Sequence, residues 1–68
     1  MRISAPQRKA LVALRDRGPG AYRLARHDLR YRLVERGLVS EAPDADLIGR
    51  GGYGTIPSLT EAGRAALG

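Results

Sequence analysis

The apolar residues nearest the N-terminus lie at helical spacing and would share one face of a helix: Ala10, Leu11 and Leu14. Ser4 precedes Gln7 by three residues, which is the pattern of a capping box, and Pro6 would lie in the first turn. The Gly-Pro-Gly sequence at 18–20 does not favour a continued helix. The pattern therefore predicts a helix over about residues 5–17.

A second apolar pattern predicts a helix that ends close to Gly37. Leu29 and Leu33 form an i, i+4 pair, and residues 21–36 contain neither proline nor glycine. Glycine is the preferred residue just beyond the end of a helix, so Gly37 fits the C′ position. We expect this helix over about residues 27–36.

The segment between these two helices has two interpretations. Residues 22–25 form either a short second helix or a turn that packs through Tyr22 and Leu24. A bend is expected near His27 and Asp28, where the Asp28 carboxylate would cap the next helix.

The remaining sequence predicts a pair of strands and a last helix. The strands are expected over two short stretches, 38–41 and 55–59. Residues 43–46 are typical of a turn, and the glycines of residues 49–54 are typical of a flexible tip. Pro57 has no N–H to donate, so its strand should lie at a sheet edge there. Thr60 is the expected N-cap of the last helix.

This order of elements predicts an α+β, mainly helical fold in a single domain over residues 1–68. The helices and strands should share one core, formed by Leu11, Leu14, Leu29, Leu33, Leu38, Ile56 and Leu59.

Composition excludes several classes of protein. The 68 residues include no cysteine, so neither a disulfide framework nor a thiolate zinc site is expected. No apolar run approaches the ~20 residues that span a bilayer, and the first residues lead into Gln7-Arg8-Lys9 rather than an apolar signal core. A chain of this size leaves little room for a substrate cleft. We expect a cytoplasmic protein that is not an enzyme and has no membrane partner and no cofactor.

The charge is positive and unevenly distributed. The net charge is +5, and eleven of the twelve basic residues are arginine. Residues 1–36 hold ten basic and three acidic residues, giving +7, whereas residues 37–68 hold two basic and four acidic residues, giving −2. Codon usage could explain the preference for arginine over lysine, but not the one-sided placement. The distribution favours an anionic partner, with nucleic acid first.

Two motifs in this chain resemble those of a known fold. Residues 33–39, LVERGLV, resemble the end of the recognition helix and the first wing strand of MarR- and PadR-type regulators. Residues 59–67, LTEAGRAAL, resemble the last part of the same domains. The resemblance implies a winged helix-turn-helix with an abbreviated second helix and a two-stranded wing. In outline it is closest to small phage- and actinobacterial-type winged-helix proteins.

The chain departs from those families in two ways. Only residues 19–36 are available for a second helix, a turn and a third helix, so the second helix must be short. The families dimerise through long helices that flank the winged domain, and no such helix is present here. We therefore expect a monomer in dilute solution, which pairs on its DNA site or assists another protein.

If the third helix enters the major groove, its N-terminal half reaches the bases or phosphates. The expected DNA-binding residues there are Arg26, His27, Arg30, Tyr31 and Arg32. In the wing, Arg50 is expected at a phosphate or the minor groove, with Tyr53 packing or stacking. Asp28 and Glu35 would repel phosphate unless Asp28 caps the helix and Glu35 pairs with Arg32 or Arg36. The alternative is an ordinary solvated helix face.

Three further motifs do not carry chemistry. Residues 49–54 match G-x-G-x-x-G, but a strand follows where a dinucleotide site needs a helix; the same residues also resemble a single RGG-type RNA-binding element. Asp44 and Asp46 suggest a calcium loop, but Thr55 stands where a bidentate glutamate is required. His27 has no second histidine or cysteine with which to share a metal, and no serine in a nucleophile context. We expect no catalytic and no metal site.

The sequence thus predicts a small protein that binds double-stranded DNA, as a transcriptional regulator or an architectural factor. The alternative is a winged-helix adaptor whose basic face binds an acidic partner protein. Segregated charge favours DNA, whereas the short second helix and the missing dimerisation helices favour the adaptor.

Overall fold

A computed structural model describes residues 2–49 and 54–68. It shows a small α+β fold, mainly helical, with a two-stranded antiparallel sheet. The elements in chain order are α1 (Ala5–Arg17), α2 (Pro19–Tyr22), α3 (His27–Glu35), β1 (Val39–Pro43), α4 (Ala45–Gly49), β2 (Thr55–Leu59) and α5 (Glu61–Leu67). Within the described ranges, no helix has the length and apolar character needed to cross a membrane.

Helix α1 has the predicted boundaries because both of its ends are fixed by local hydrogen bonds. The Gln7 backbone N–H donates to Ser4 Oγ at 3.2 Å, and the Ser4 N–H donates to Gln7 Oε1 at 3.0 Å, which completes the capping box. At the other end Gly18 has φ 89°, and its N–H donates to the carbonyls of Ala13 and Leu14.

Helix α2 begins earlier than expected, directly after Gly18. Pro19 takes the first helical position, where its missing N–H costs nothing and its fixed φ favours the helix. The helix ends at Tyr22, which is fully buried, and a turn follows in which Leu24 is 88% exposed. Of the two interpretations of residues 22–25, the turn is therefore found, and Tyr22 packs inward as expected. The prediction that Leu24 packs inward was wrong, because this turn directs its side chain away from the core.

Helix α3 ends as predicted, with Gly37 at φ 73°. The Gly37 N–H donates to the Val34 carbonyl and the Leu38 N–H donates to the Leu33 carbonyl, both at 3.0 Å, which is a Schellman motif. The prediction that Asp28 caps the start was wrong, because the helix begins at His27 and the N-cap residue is Arg26. Asp28 lies in the first turn instead, where the helix dipole favours its charge.

Strands β1 and β2 pair with Val39 opposite Leu59 and Pro43 opposite Thr55. Residues 45–49, expected to include turn and loop, form the short helix α4, and Asp44 Oδ1 accepts the Asp46 N–H at 3.1 Å at its start. Within the described part of the chain the sheet has two strands, so each has an unpaired edge, as Pro57 requires.

Thr60 is the N-cap of helix α5, as predicted, and its Oγ1 accepts the Gly63 N–H at 3.0 Å. The same hydroxyl donates to the Gly37 carbonyl at 2.5 Å, and the Thr60 N–H donates to the Leu38 carbonyl at 3.2 Å. The start of α5 is thus bonded to the end of α3. Gly63 is buried at this contact, where a Cβ would overlap the Leu38 carbonyl oxygen.

The core lies between α1, α2, α3 and the sheet. Its buried apolar members are Ala10, Leu11, Leu14, Tyr22, Leu33, Leu38 and Val39, with Leu29 and Leu59 partly buried against them. The prediction of Ile56 in the core was wrong, since Ile56 is 45% exposed. Neighbouring strand residues point to opposite faces, and in β2 the buried residue is Pro57.

Candidate functional site

One face of α3 points away from the core. Leu33 is fully buried and Leu29 partly buried, and together they fix the rotation of the helix. Of the sequence-predicted residues, His27 and Tyr31 lie opposite these leucines, Arg30 and Arg32 lie on the flanks, and Arg26 is the N-cap residue. Together they form the surface that we call the outer α3 face: Arg26, His27, Arg30, Tyr31 and Arg32. All of these are exposed except Arg30, which is half-buried. The orientation predicted from the i, i+4 leucines is confirmed.

The sheet lies beside this face. A shallow groove of about 240 Å³ separates them, lined by His27, Arg30, Tyr31 and Val34 from α3, Glu41 from β1 and Thr55 from β2. A ligand lying along the outer α3 face would therefore also meet the strands. Arg23 links the end of α2 to the start of β2 beside this groove, because its Nη2 donates to the Thr55 carbonyl at 2.7 Å.

Two buried polar groups lie close to this face. In the part of the chain that the structure describes, Arg30 Nε is buried and has no hydrogen-bond partner. The hydroxyl of the fully buried Tyr22 also has no partner among these residues. The pKa of Tyr22 is raised to about 12, first by burial and then by the negative charge of Glu41, while the positive charge of Arg30 opposes the rise. Arg30 and Glu41, whose charges act on Tyr22, both line the groove.

Arg26 and Asp28 form an exposed ion pair, with Nε and Oδ1 3.3 Å apart. Exposed pairs of this kind are worth about 0–1 kcal/mol, so a phosphate can compete for Arg26 at little cost. Arg32 is exposed, and in the part of the chain that the structure describes its side chain has no hydrogen bond or ion pair. The predicted pairing of Glu35 with Arg32 or Arg36 is not found.

Three other arginines bind carbonyl oxygens of the chain itself. Arg36 donates to Gln7 Oε1 at 2.9 Å and to the Arg2 carbonyl at 2.7 Å. Arg8 reaches the Ala66 carbonyl at 3.5 Å, and Arg23 reaches Thr55 as described. These contacts join residues far apart in sequence, so no local pattern identified them. They reduce the number of cations that remain free for a partner.

The remaining predictions concern the wing and metals. Arg50 and Tyr53, the expected wing contacts, lie outside the described residues. Among residues 2–49 and 54–68, no three His, Asp or Glu side chains lie close enough together to hold a metal ion.

No family model, curated protein or solved structure matches this chain. Its function is therefore argued from its own residues.

Proposed function

We propose that this is a small winged-helix DNA-binding protein, a transcriptional regulator or an architectural factor. In this proposal the outer α3 face enters the major groove and the β1–β2 hairpin follows the flanking backbone. The observation that supports it most directly is the outer α3 face, fixed by the buried Leu33, on which neither Arg30 Nε nor the Arg32 side chain has a partner among the described residues.

The size of α3 suits this role. Nine helical residues extend about 14 Å, and the major groove, ~12 Å wide, admits a helix. His27 and Tyr31 lie on the exposed side of the N-terminal half, which is the half that contacts bases in helix-turn-helix proteins. An arginine guanidinium matches the paired acceptors of guanine, so Arg30 and Arg32 are the expected base contacts.

The local charge also supports DNA as the partner. The outer α3 face carries three arginines. Two acidic residues lie beside its N-terminal half in the described part of the chain: Asp28, which is paired with Arg26, and Glu41, which lines the groove. Glu35 lies at the last position of α3, away from that half. A phosphate backbone approaching His27 would therefore meet net positive charge.

The experiment compares Arg30→Ala and Arg32→Ala with Arg64→Ala in fluorescence anisotropy titrations. Each variant is measured on a duplex selected for binding and on a scrambled duplex at fixed salt. Arg64 is an exposed α5 arginine with no side-chain partner among the described residues, so it controls for loss of charge alone. Either α3 variant should lose about 1–3 kcal/mol on the selected duplex and discriminate less between the two.

Arg50 has a different expected role, which follows from the glycine-rich sequence around it. A contact to phosphate or the minor groove carries little base information, so Arg50→Ala should weaken both duplexes alike. A change of sequence preference in Arg50→Ala, with none in the α3 variants, would mean that the wing reads the DNA.

The adaptor alternative predicts another result. If the basic face serves an acidic protein, the wild-type protein should not bind duplex DNA even at low salt, and all three α3 and wing variants should behave like it.

A further inference from the structure

A second surface of the molecule is an apolar depression between its helices. We call it the α1–α2 groove; it has a volume of about 420 Å³ and lies between α1, α2 and the start of α3. Its apolar lining includes Ala10, Ala13, Ala21, Leu24, Ala25 and Leu29. The depression exists because most of these residues are alanines, whose short side chains leave space between the helices.

Leu24 lies in this groove and is the most exposed large apolar side chain among the described residues, at 88%. Burial of a leucine side chain stabilises a protein or a complex. Leu24 makes no such contribution within the fold, because the turn after α2 directs it away from the core. A complex in which a partner covered Leu24 would be stabilised by its burial.

The rim of the groove is positively charged. Lys9, Arg17 and Arg26 line it, and none of the described residues in its lining is acidic. Lys9 and Arg17 lie eight residues apart on α1, on the same side of the helix. Within residues 2–49 and 54–68 neither has a carboxylate partner, since the ion pairs there are Arg15 with Asp16 and Arg26 with Asp28.

We propose that the α1–α2 groove binds an acidic amphipathic helix of a partner protein. Apolar side chains of that helix would cover Leu24 and the alanines, and its carboxylates would meet Lys9, Arg17 and Arg26. A second copy of this chain fits poorly, because a two-fold contact would bring two such cationic rims together. The groove shares only Arg26 with the outer α3 face, so it serves an interaction separate from DNA binding.

The test uses the full chain and a fluorescein-labelled synthetic peptide, an amphipathic helix with leucines along one side and glutamates on the others. Two control peptides carry lysine for each glutamate or serine for each leucine. Binding is followed by anisotropy and mapped by amide chemical shifts of the 15N-labelled protein. The expected result is binding of the acidic peptide alone, with shifts at Ala13, Ala21 and Leu24.

Leu24→Ser should weaken this binding by about tenfold or more. Because Leu24 is exposed, the variant should melt at the wild-type temperature. Ile56→Ser is the matched control, since Ile56 is an exposed aliphatic residue that does not line the groove. Arg17→Glu should also weaken binding, whereas Arg64→Glu, which changes charge away from the groove, should not.

Four results would overturn the proposal: no binding of the acidic peptide, equal binding of the lysine peptide, shifts confined to the outer α3 face, or a dimer in sedimentation that Leu24→Ser disrupts. Protection of Leu24 by duplex DNA, or by phosphatidylserine vesicles in place of the peptide, would assign the groove to those partners. Duplex titration of Leu24→Ser tests the two proposals separately, because this variant should bind DNA as the wild type does.

Discussion

Among the described glycines, Gly63 is the one whose surroundings leave no space for a Cβ atom. A methyl group there would overlap the Leu38 carbonyl oxygen and lie 3.1 Å from Leu59 Cδ2. Alanine favours a helix by about 1 kcal/mol over glycine, but overpacking against a backbone atom that cannot move aside costs about 1–3 kcal/mol or more. We expect Gly63→Ala to lower the free energy of unfolding by about 1–2 kcal/mol in urea titrations followed by circular dichroism.

Gly20→Ala is the control for this substitution. Gly20 is also helical, and a Cβ there meets no atom within 4 Å. Alanine at this position should raise stability by up to about 1 kcal/mol. Equal effects of the two substitutions would show that α5 does not approach Leu38 closely.

Because Tyr22 is buried, we expect the protein to lose stability in alkaline solution. Burial raises the pKa of Tyr22 to about 12 from 10.0, so between these pH values the folded protein keeps a proton that the unfolded chain has lost. Stability then falls as pH rises across this window, by up to about 1.4 kcal/mol per pH unit. Tyr22→Phe should remove this contribution from the urea-unfolding free energy measured at each pH.

The same variant should not be destabilised at neutral pH. Within residues 2–49 and 54–68 the buried Tyr22 hydroxyl has no hydrogen-bond partner, so its removal should leave stability unchanged or raise it by about 1 kcal/mol. Tyr31→Phe, which removes an exposed hydroxyl, serves as the reference. A large loss in Tyr22→Phe at pH 7 would mean that the hydroxyl has a partner in solution.

At the scale of the elements, Leu33 is the fully buried side chain that attaches α3 to the core, and Leu29 packs there partly buried. Leu33 is fully buried, whereas its neighbour Val34 is 37% exposed. Leu33→Ala should cost about 2–5 kcal/mol, enough to unfold much of the population of a small domain. Val34→Ala should cost far less. Similar thermal melts of the two variants would show that the rotation of α3 differs from the one described.

The elements also show which features the sequence determines locally. Helix α1 was predictable because Ser4, Gln7 and Gly18 each act within a few residues of its ends. The start of α2 at Pro19 was not predicted, because a proline that ends one helix is equally suited to begin the next. The face of Ile56 was misassigned because a short strand containing proline has little alternation to fix which side is buried.

The candidate site was predictable only where it depends on a local pattern. The leucine spacing of α3 is local, and it placed His27 and Tyr31 on the exposed side. The roles of Arg23 and Arg36 were not predictable, because their acceptors on Thr55 and Arg2 come close only when the chain has folded. The exposure of Leu24 depends on where α2 ends, which the sequence left open.

For the molecule as a whole, the number of free cations limits how strongly salt should affect DNA binding. Since Arg8, Arg23 and Arg36 bind backbone carbonyls, we expect four to six phosphate contacts rather than one for each basic residue. The slope of log K against log salt should then be about −4 to −5. Arg32→Ala should reduce its magnitude by about 1, and Arg64→Ala should not change it. A slope near zero would exclude DNA binding through phosphate contacts.

The junction between Thr60 and the end of α3 has a consequence for the order of folding. The Schellman motif at Gly37 closes within a few residues, whereas the Thr60 hydroxyl reaches the Gly37 carbonyl across 23 positions of sequence. Long loops close late, so α5 should dock after the folding transition state has formed. Loss of an N-cap costs about 0.5–2 kcal/mol. In stopped-flow experiments Thr60→Ala should therefore accelerate unfolding and leave the refolding rate nearly unchanged. A slower refolding rate would instead place the α3–α5 junction in the folding nucleus.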